Sequence, residues 1–197
     1  MRKNKAETDE TIRKLIAVAR QHFTDKGYAA SALEEIGLEA ELTRGALYHH
    51  FGNKKGLFQA VFESVQKEVA ERVETEAARS DDVWEQLLLG CRAFVAAAVE
   101  ERNKRVLLVD GPSVLGWDVW RMMDERNSMR LLREQLHSMN ELGCFRPVPI
   151  DAMTHSLSGA LNESALWIAQ MPDGVQALED GMTVISMLLD GFKKPGR

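Results

Sequence analysis

Apolar residues recur at helical spacing along nearly the whole chain. The first set is Ile12, Leu15, Ile16, Ala19 and Phe23, whose spacing places them on one face of an amphipathic helix. Gly27 follows, and glycine suits the position just after a helix end. Similar spacing returns in later segments, and no segment shows the alternation typical of a strand. The pattern predicts an all-α protein.

Three short helices are predicted within about the first fifty residues. Ser31 and Glu34 have the spacing of a capping box, in which the serine oxygen bonds the third amide and the glutamate reaches back. A further helix is expected to begin at Thr43, and a long one to run from Asn53 towards Ala78. The short helices therefore precede a long connecting helix.

The rest of the chain predicts longer helices separated by turn signals. A single helix is expected from about Trp117 to about Leu142. Four features divide this part of the chain: a cap at Asp81 or Asp82, a break at Asp110-Gly-Pro112, a helix end at Gly143 and a turn at Met171–Gly174.

Composition indicates a cytoplasmic protein. Hydrophobic residues make up 45% of the chain and charged residues 28%, as in ordinary globular proteins. The first residues, MRKNKAETDE, lack the apolar core of a signal peptide, and the longest apolar run, 93–99, is too short to span a membrane. Cys91 and Cys144 have neither metal-binding nor disulfide-framework spacing. We therefore expect no membrane association, no metal and no cofactor.

The stretch LTRGALYHHF, Leu42–Phe51, concentrates polar and aromatic residues on one helix. Leu47 and Phe51 would face inward, which leaves Gly45 and His49 on the opposite face. Adjacent histidines point about 100° apart on a helix, so this pair is poorly suited to chelating one ion. A capped helix, a tight turn, a second capped helix and a basic helix start together indicate a helix-turn-helix that contacts DNA phosphates. The net charge of −5 is a weak argument against this, although the first 55 residues carry ten Lys or Arg and eight Asp or Glu.

Three motifs in this region resemble those of the tetracycline-repressor (TetR) family of one-component bacterial regulators. They are Phe-x-x-x-Gly-Tyr at Phe23–Tyr28, Gly-x-Leu-Tyr-x-His-Phe at Gly45–Phe51 and Asn-Lys-x-x-Leu at Asn53–Leu57. The resemblance implies an N-terminal three-helix helix-turn-helix DNA-binding domain, residues 1–53. It also implies a C-terminal helical ligand-binding and dimerisation domain, residues 54–197.

The resemblance also assigns roles to residues in double-stranded operator DNA binding. It implies that Arg44, Gly45 and His49 approach base edges, where arginine can bridge guanine O6 and N7. It implies phosphate contacts from four further residues: Thr43, Tyr48, His50 and Lys54.

Two positions depart from the family pattern. Glu41 occupies the turn where the family usually has glycine, so a positive φ there would strain the backbone. Its carboxylate, with that of Glu39, would also stand near phosphate. Gly37 lies inside the second helix, where glycine is less stable than alanine. We expect weaker or more salt-sensitive DNA binding than is usual for the family.

In the second domain, apolar residues suit either core packing or binding. From the residues alone, core packing is the default for any one of them, whereas the resemblance implies a ligand cavity somewhere in this domain. The candidate ligand-binding residues are Phe94, Trp117, Trp120, Met123 and Trp167. The last two helices carry apolar stripes that can pack internally, and in the family these helices form a dimer interface. The candidate interface residues are Leu157, Leu161, Leu178, Met182, Ile185 and Leu189.

The resulting prediction is a homodimeric regulator and not an enzyme. We expect a repressor that a small, partly apolar effector releases from a palindromic operator. Two alternatives stay open. One is a dimeric small-molecule-binding module that has lost DNA affinity, and the other is a helical enzyme, for which the sequence offers no credible nucleophile–base pair.

Overall fold

The computed structural model describes residues 5–194, and its regular elements are helices. Within this part of the chain the nearest approach to a sheet is an isolated antiparallel bridge between Phe145 and Lys193. The all-α prediction is confirmed. The expectation that no signal peptide is present rests partly on residues 1–4, which lie outside the described residues. No helix within 5–194 has the length and apolar character needed to cross a membrane.

The helices follow one another with short connections. In chain order they are α1 (Lys5–Ala30), α2 (Leu33–Glu39), α3 (Arg44–Phe51), α4 (Lys54–Ala77), α5 (Val83–Val99), α6 (Glu101–Lys104), α7 (Gly111–Leu115), α8 (Trp117–Arg126), α9 (Ser128–Glu141), α10 (Ile150–Ile168) and α11 (Gly174–Asp190). A π-helical stretch, Arg105–Asp110, joins α6 to α7.

These helices form two compact units that do not follow chain order. The first unit contains the residues up to Val65 together with Glu101–Trp120, and the second contains Gln66–Glu100 and the residues from Arg121 onwards. No sequence pattern predicted that residues 101–120 would join the N-terminal helices. The proposed functional boundary between residues 53 and 54 stays a prediction, because compactness does not test which residues bind DNA.

An aromatic cluster forms the centre of the first unit. The ring of Phe58 lies 5.2 Å, centre to centre, from those of both Phe23 and Tyr28. Gly27, with φ +79° and ψ 166°, interrupts α1 just before Tyr28. Gly27, predicted to follow a helix end, is thus a non-helical kink after which α1 continues to Ala30, and this kink places Tyr28 against α4.

The segment Glu101–Trp120 packs against the C-terminal end of α1. Arg105 Nη1 donates to the carbonyl oxygens of Thr24, at 3.1 Å, and Asp25, at 2.8 Å. The amide of Tyr28 donates to Asp110 Oδ2 at 2.8 Å. Helix ends leave backbone groups without intrahelical partners, so these side chains satisfy groups that would otherwise need water.

The predicted break at Asp110-Gly-Pro112 is wrong, because the chain stays helical there. Gly111 has helical angles, φ −51° and ψ −63°, and Pro112 lies in the first turn of α7, where a missing amide hydrogen is tolerated. A Cβ on Gly111 would lie 2.6 Å from the ring of Phe62. The glycine therefore permits close packing and does not end the helix.

Two other local predictions are corrected. Ser31 Oγ donates to the carbonyl oxygens of His22 and Gly27, at 3.0 and 2.8 Å, so it stabilises the end of α1 and forms no capping box with Glu34. Ala32 is the N-cap of α2 and makes no side-chain bond. The single helix predicted from Trp117 is divided at Asn127, whose φ of −117° and ψ of −108° are not helical.

In the second unit, α10 packs against α5, α9 and α11. The predicted cap at Asp82 is confirmed, since its carboxylate accepts from the amides of Trp84 and Glu85. Gly143 follows α9 with φ +69°, which fits the predicted helix end. Helix α10 is therefore the central helix of these contacts.

Candidate functional site

Helix α3 packs on α2 through its apolar side and has its polar side exposed. Thr43 Oγ1 accepts from the amide of Ala46 at 3.3 Å, which confirms the predicted start of the helix. Leu47 is 2% exposed, and its Cδ1 would lie 3.3 Å from a Cβ on Gly37. Gly37 therefore allows α3 to approach α2 closely, which gives this glycine a packing role.

The outward face of α3 carries the residues predicted to contact DNA. Arg44, Gly45, Tyr48, His49 and His50 are all exposed. The guanidinium carbon of Arg44 lies 5.4 Å from the Tyr48 ring centre, within range of a cation–π contact. A Cβ on Gly45 would meet nothing within 4 Å. The backbone there is open to close approach by another molecule.

The start of α4 is capped and anchored to neighbouring elements. Asn53 Oδ1 accepts from the amide of Gly56 at 2.9 Å. Lys54 Nζ donates to the carbonyl oxygen of Ala29 at 3.1 Å and lies 4.5 Å from the Tyr28 ring centre. An ammonium has three donors, so the predicted phosphate contact of Lys54 stays a prediction.

The carboxylates near the turn between α2 and α3 are paired with bases on α1. Lys14 Nζ lies 2.6 Å from Glu41 Oε2, and His22 Nε2 lies 2.8 Å from Glu39 Oε2. The hydrogen bond and charge of Lys14 lower the pKa of Glu41. Glu41 also has the positive φ, +58°, that its aligned position suggested.

A cavity of about 300 Å³ lies within the second unit, lined by residues of α4, α5, α8, α9 and α10. Much of its wall is apolar: Val73, Leu87, Cys91, Phe94, Met129 and Leu161. Burial raises the pKa of the Cys91 thiol to about 12. A protonated thiol is a poor nucleophile, so Cys91 contributes shape to the cavity and little reactivity.

Asp124, Ser128 and Ser158 form a polar side of the cavity. Arg121 Nη1 lies 3.1 Å from Asp124 Oδ2 and donates to Ser158 Oγ at 3.2 Å. Burial raises the pKa of Asp124 to about 6, against the lowering effects of Arg121 and Ser158. Ser128 is 8% exposed, and its hydroxyl has no hydrogen-bond partner among the described residues. One polar group of the wall is therefore left unsatisfied.

Of the residues predicted to bind a ligand, only Phe94 is among those that line this cavity. Trp120 is buried in the first unit, where its Nε1 donates to the carbonyl oxygen of Leu107 at 3.3 Å. The Trp117 ring lies 5.0 Å from that of Trp120 and is 65% exposed. Met123 is buried and Trp167 is 41% exposed, and neither lines the cavity.

The polar side of the cavity was missed at the sequence level, although one signal for it existed. Asp124 stands four positions after Trp120 and one after Met123, both of which are buried. A carboxylate on an apolar helical stripe is unusual because burying a charge is unfavourable unless it is paired. Ser128, four positions further on, gave no comparable signal.

Most of the residues predicted for the dimer interface are buried within the single subunit. Five of the six are less than 9% exposed, namely Leu157, Leu161, Met182, Ile185 and Leu189, while Leu178 is partly exposed. That prediction identified the stripe that packs internally. A different face of α11 is open, where Val184, Met187 and Leu188 are 56, 68 and 47% exposed.

An exposed helix that follows a tight turn, together with a second helical unit that contains a cavity, is typical of a helix-turn-helix regulator. No cluster of three or more His, Cys, Asp or Glu that could hold a metal occurs within residues 5–194. The two units therefore separate a candidate DNA-binding surface from a candidate effector cavity.

Comparison with known proteins places the chain more closely. Residues 15–61 match the family model "Bacterial regulatory proteins, tetR family", and residues 84–192 match "Tetracyclin repressor-like, C-terminal domain". The crystal structure of a TetR-family transcriptional regulator from Pectobacterium atrosepticum is 34% identical. The match covers 99% of this chain and 100% of that one, with a TM-score of 0.80. The chain belongs to the TetR family of transcriptional regulators.

Named relatives match over a shorter part of the chain. The transcriptional repressor BepR of Brucella suis is 33% identical over 114 residues, which is 55% of this chain and 53% of BepR. The transcriptional regulator AcrR of Shigella flexneri is 32% identical over 108 residues, 54% of this chain and 50% of AcrR. The chain thus spans about half the length of the curated relatives it matches.

Proposed function

We propose that this regulator is a cytoplasmic homodimeric repressor that leaves a palindromic operator when a small molecule enters the cavity of the second unit. The observation that carries the proposal is the outward face of α3, where Arg44, Tyr48 and His49 surround the open backbone of Gly45. Such a face offers little to a protein core but suits the major groove, because arginine can bridge guanine and glycine allows close approach.

The pairing of the turn carboxylates supports DNA binding. Glu41, together with the acidic remainder of the chain, is the reason to consider a module that has lost its affinity for DNA, and Glu39 adds a second carboxylate near the turn. Their contacts with Lys14 and His22 draw both carboxylates towards α1. The carboxylates that DNA phosphate would approach are therefore already paired with basic side chains, which reduces their repulsion of the phosphate.

Dimerisation is proposed through the exposed faces of α10 and α11. Val184, Met187 and Leu188 share a helical face, since they stand three and four positions apart. On α10, exposed Ser156 and Gly159 are small enough to let a second helix approach closely. A Cβ on Gly159 would meet nothing within 4 Å in the single chain. Two subunits would place two recognition helices about 34–36 Å apart on a palindrome.

Helix α4 is the proposed route of the response. It is continuous from Lys54, beside the recognition helix in sequence, to Ala77, which lines the cavity together with Val73 and Glu74. A ligand that prefers one position of Val73–Ala77 would bias the position of Lys54. The required difference in affinity is modest, because couplings of about 1–3 kcal/mol are typical of allosteric proteins.

Selection of bound sequences from a random duplex pool tests the proposal. Wild type is expected to enrich a palindrome, and an Arg44→Ala, Tyr48→Ala variant is expected to lose the enrichment. Arg79→Ala is the matched control, since Arg79 is exposed in the second unit and pairs with Glu76. No enrichment at low salt from a folded dimer would contradict the regulator function.

The net charge of −5 favours a second candidate, a binding module that no longer binds DNA. A salt titration separates the two. If each subunit of a dimer neutralises three phosphates, the logarithm of the affinity falls against that of the salt concentration with a slope of about −5. A flat response would support the module.

A further inference from the structure

We propose that the cavity of the second unit selects an apolar molecule with a neutral or cationic hydrogen-bond donor as its head group, and rejects carboxylates and phosphates. Ser128 and Asp124 would receive the head group, and the aliphatic and aromatic wall would hold the body. The inference rests on the proposed function only in taking this cavity as the effector site, and adds the chemistry of the effector.

The apolar part of the cavity wall favours a ligand whose body is apolar. Leu87, Phe94, Met129 and Leu161 line it, and the methionine side chain can adjust to ligands of different outline. Burial of an apolar group in such a cavity is favourable in proportion to the area removed from water. A cavity of about 300 Å³ lies at the lower end of the range of small-molecule sites.

Ser128 supplies the first polar requirement. Its hydroxyl is buried, lies on a residue of the cavity wall and lacks a hydrogen-bond partner among the described residues. Buried polar groups in folded proteins are nearly always satisfied, so an unsatisfied one needs an explanation. A ligand hydroxyl or ammonium that bonds this oxygen would supply the missing partner.

Asp124 supplies the second requirement, which is one of charge. Its carboxylate is held by Arg121 and lies 3.5 Å from Ser158 Oγ. The wall also includes the carboxylates of Glu74 and Glu134, both of which pair with Arg130, at 3.7 and 2.8 Å. Neither Arg130 nor Arg121 is among the residues that line the cavity, whereas all three carboxylates are. The acidic side chains of the wall thus outnumber the two arginines that pair with them, so the site favours a neutral or cationic donor over an anion.

Calorimetry with three matched probes tests the inference on the full chain at neutral pH. The probes are 4-phenylbutylamine, 4-phenylbutan-1-ol and 4-phenylbutanoate, which share one body and differ in the head group. The amine and the alcohol are expected to bind, and the carboxylate to bind at least tenfold more weakly. Equal or tighter binding of the carboxylate, or no binding by any probe at millimolar concentration, would overturn the inference.

Variants locate the binding in this cavity. Ser128→Ala is expected to lower the affinity for the amine and the alcohol about tenfold. Asp124→Asn is expected to lower the affinity for the amine and to bring the affinity for the carboxylate closer to that for the alcohol. Ser138→Ala, an exposed serine on the same helix as Ser128, is the matched control. If Asp124→Asn fails to fold, Ser128→Ala decides, and unchanged affinities in that variant would contradict the assignment.

Failure of this inference can be told apart from failure of the proposed function. Probe binding does not require DNA, and the selection of a palindrome does not require a ligand. If a palindrome is enriched but the probe affinities do not follow the expected order, the proposed ligand class is wrong and the proposed function stands. If the probe affinities follow the expected order but no palindrome is enriched, the proposed ligand class stands and the repressor function is wrong.

Discussion

Lys14 on α1 and Glu41 in the turn before α3 are joined by a contact of 2.6 Å between Nζ and Oε2. Among the described residues, Glu41 is the only one other than glycine with a positive φ. The turn of this helix-turn-helix thus combines a strained backbone with an ion pair to α1. An exposed ion pair adds little to stability, so the backbone and the charge can be tested separately.

Glu41→Gly and Glu41→Gln separate these two effects. Both variants lose the pair with Lys14, but only glycine adopts a positive φ without a steric penalty. The glycine variant is therefore expected to melt about 2–4 °C above the glutamine variant. Thermal unfolding followed by circular dichroism measures the difference, and a glutamine variant of equal or higher stability would show that φ at residue 41 is unstrained.

Gly45→Ala tests whether the backbone of α3 approaches DNA. A methyl group there meets nothing within the chain, and alanine favours a helix more than glycine does. We expect an unchanged or slightly higher melting temperature together with a roughly tenfold loss of operator affinity in a fluorescence anisotropy titration, about 1.4 kcal/mol. Gly174→Ala, in the first turn of α11 and equally open, should leave the affinity unchanged. Full affinity in Gly45→Ala would place the contact surface elsewhere.

The raised pKa of Asp124 predicts that its contribution to folding stability decreases as the pH rises. Its pKa is raised to about 6, chiefly by burial, so the folded chain binds this proton more tightly than the unfolded chain. The contribution of Asp124 to the free energy of unfolding is therefore greatest below about pH 4 and is lost as the pH rises through about 6.

Asp124→Asn removes this titration. Wild type is expected to gain roughly 2–3 kcal/mol over the variant as the pH falls from 7 to 4, in parallel urea titrations at each pH. Wild type and variant have all other carboxylates in common, so the pH dependence that those carboxylates cause cancels in the difference. A difference that is independent of pH would mean that the Asp124 pKa is close to its unfolded value.

Ser128→Ala is expected to raise stability while it weakens the binding of donor ligands. Removal of an unsatisfied buried hydroxyl should increase the free energy of unfolding of the ligand-free protein by about 1 kcal/mol. Ser138→Ala, on the exposed side of α9, should change it little. A loss of stability in Ser128→Ala, measured by urea unfolding, would indicate that the hydroxyl is satisfied in solution.

The exposed face of α11 predicts how dimerisation can be broken. Met187→Glu combined with Leu188→Glu should yield a folded monomer with strongly reduced operator affinity, because carboxylates would be buried at the interface. Sedimentation equilibrium measures the mass. Val175→Glu introduces a carboxylate at an equally exposed position of the same helix, 76% exposed, and should remain dimeric. A dimeric double variant would exclude this face.

Helix positions and the DNA-binding motif could be predicted from sequence because both depend on local patterns. Thr43 and Asp82 cap their helices as expected, since capping depends on residues two or three positions away. Ser31 shows the limit of such reasoning. It had the correct spacing for a cap, but its hydroxyl bonds His22 and Gly27.

Which face of a helix points inward could not be decided in the second unit. Leu189 is 1% exposed while Met187 and Leu188 beside it are exposed, yet all three are apolar. Periodicity identifies two stripes on such a helix and does not rank them. The polar side of the cavity was missed for a related reason, because Asp124 and Ser158 stand far apart in sequence and meet only after α8 and α10 pack.

The contacts between residues 101–120 and α1 limit how this protein can be recombined with its relatives. A chimaera that exchanged residues 1–65 as one block would leave Arg105 and Asp110 behind. The carbonyl groups of Thr24 and Asp25 and the amide of Tyr28 would then need new partners. A hybrid sensor that joins this DNA specificity to a foreign effector domain therefore has to transplant two separate pieces of chain.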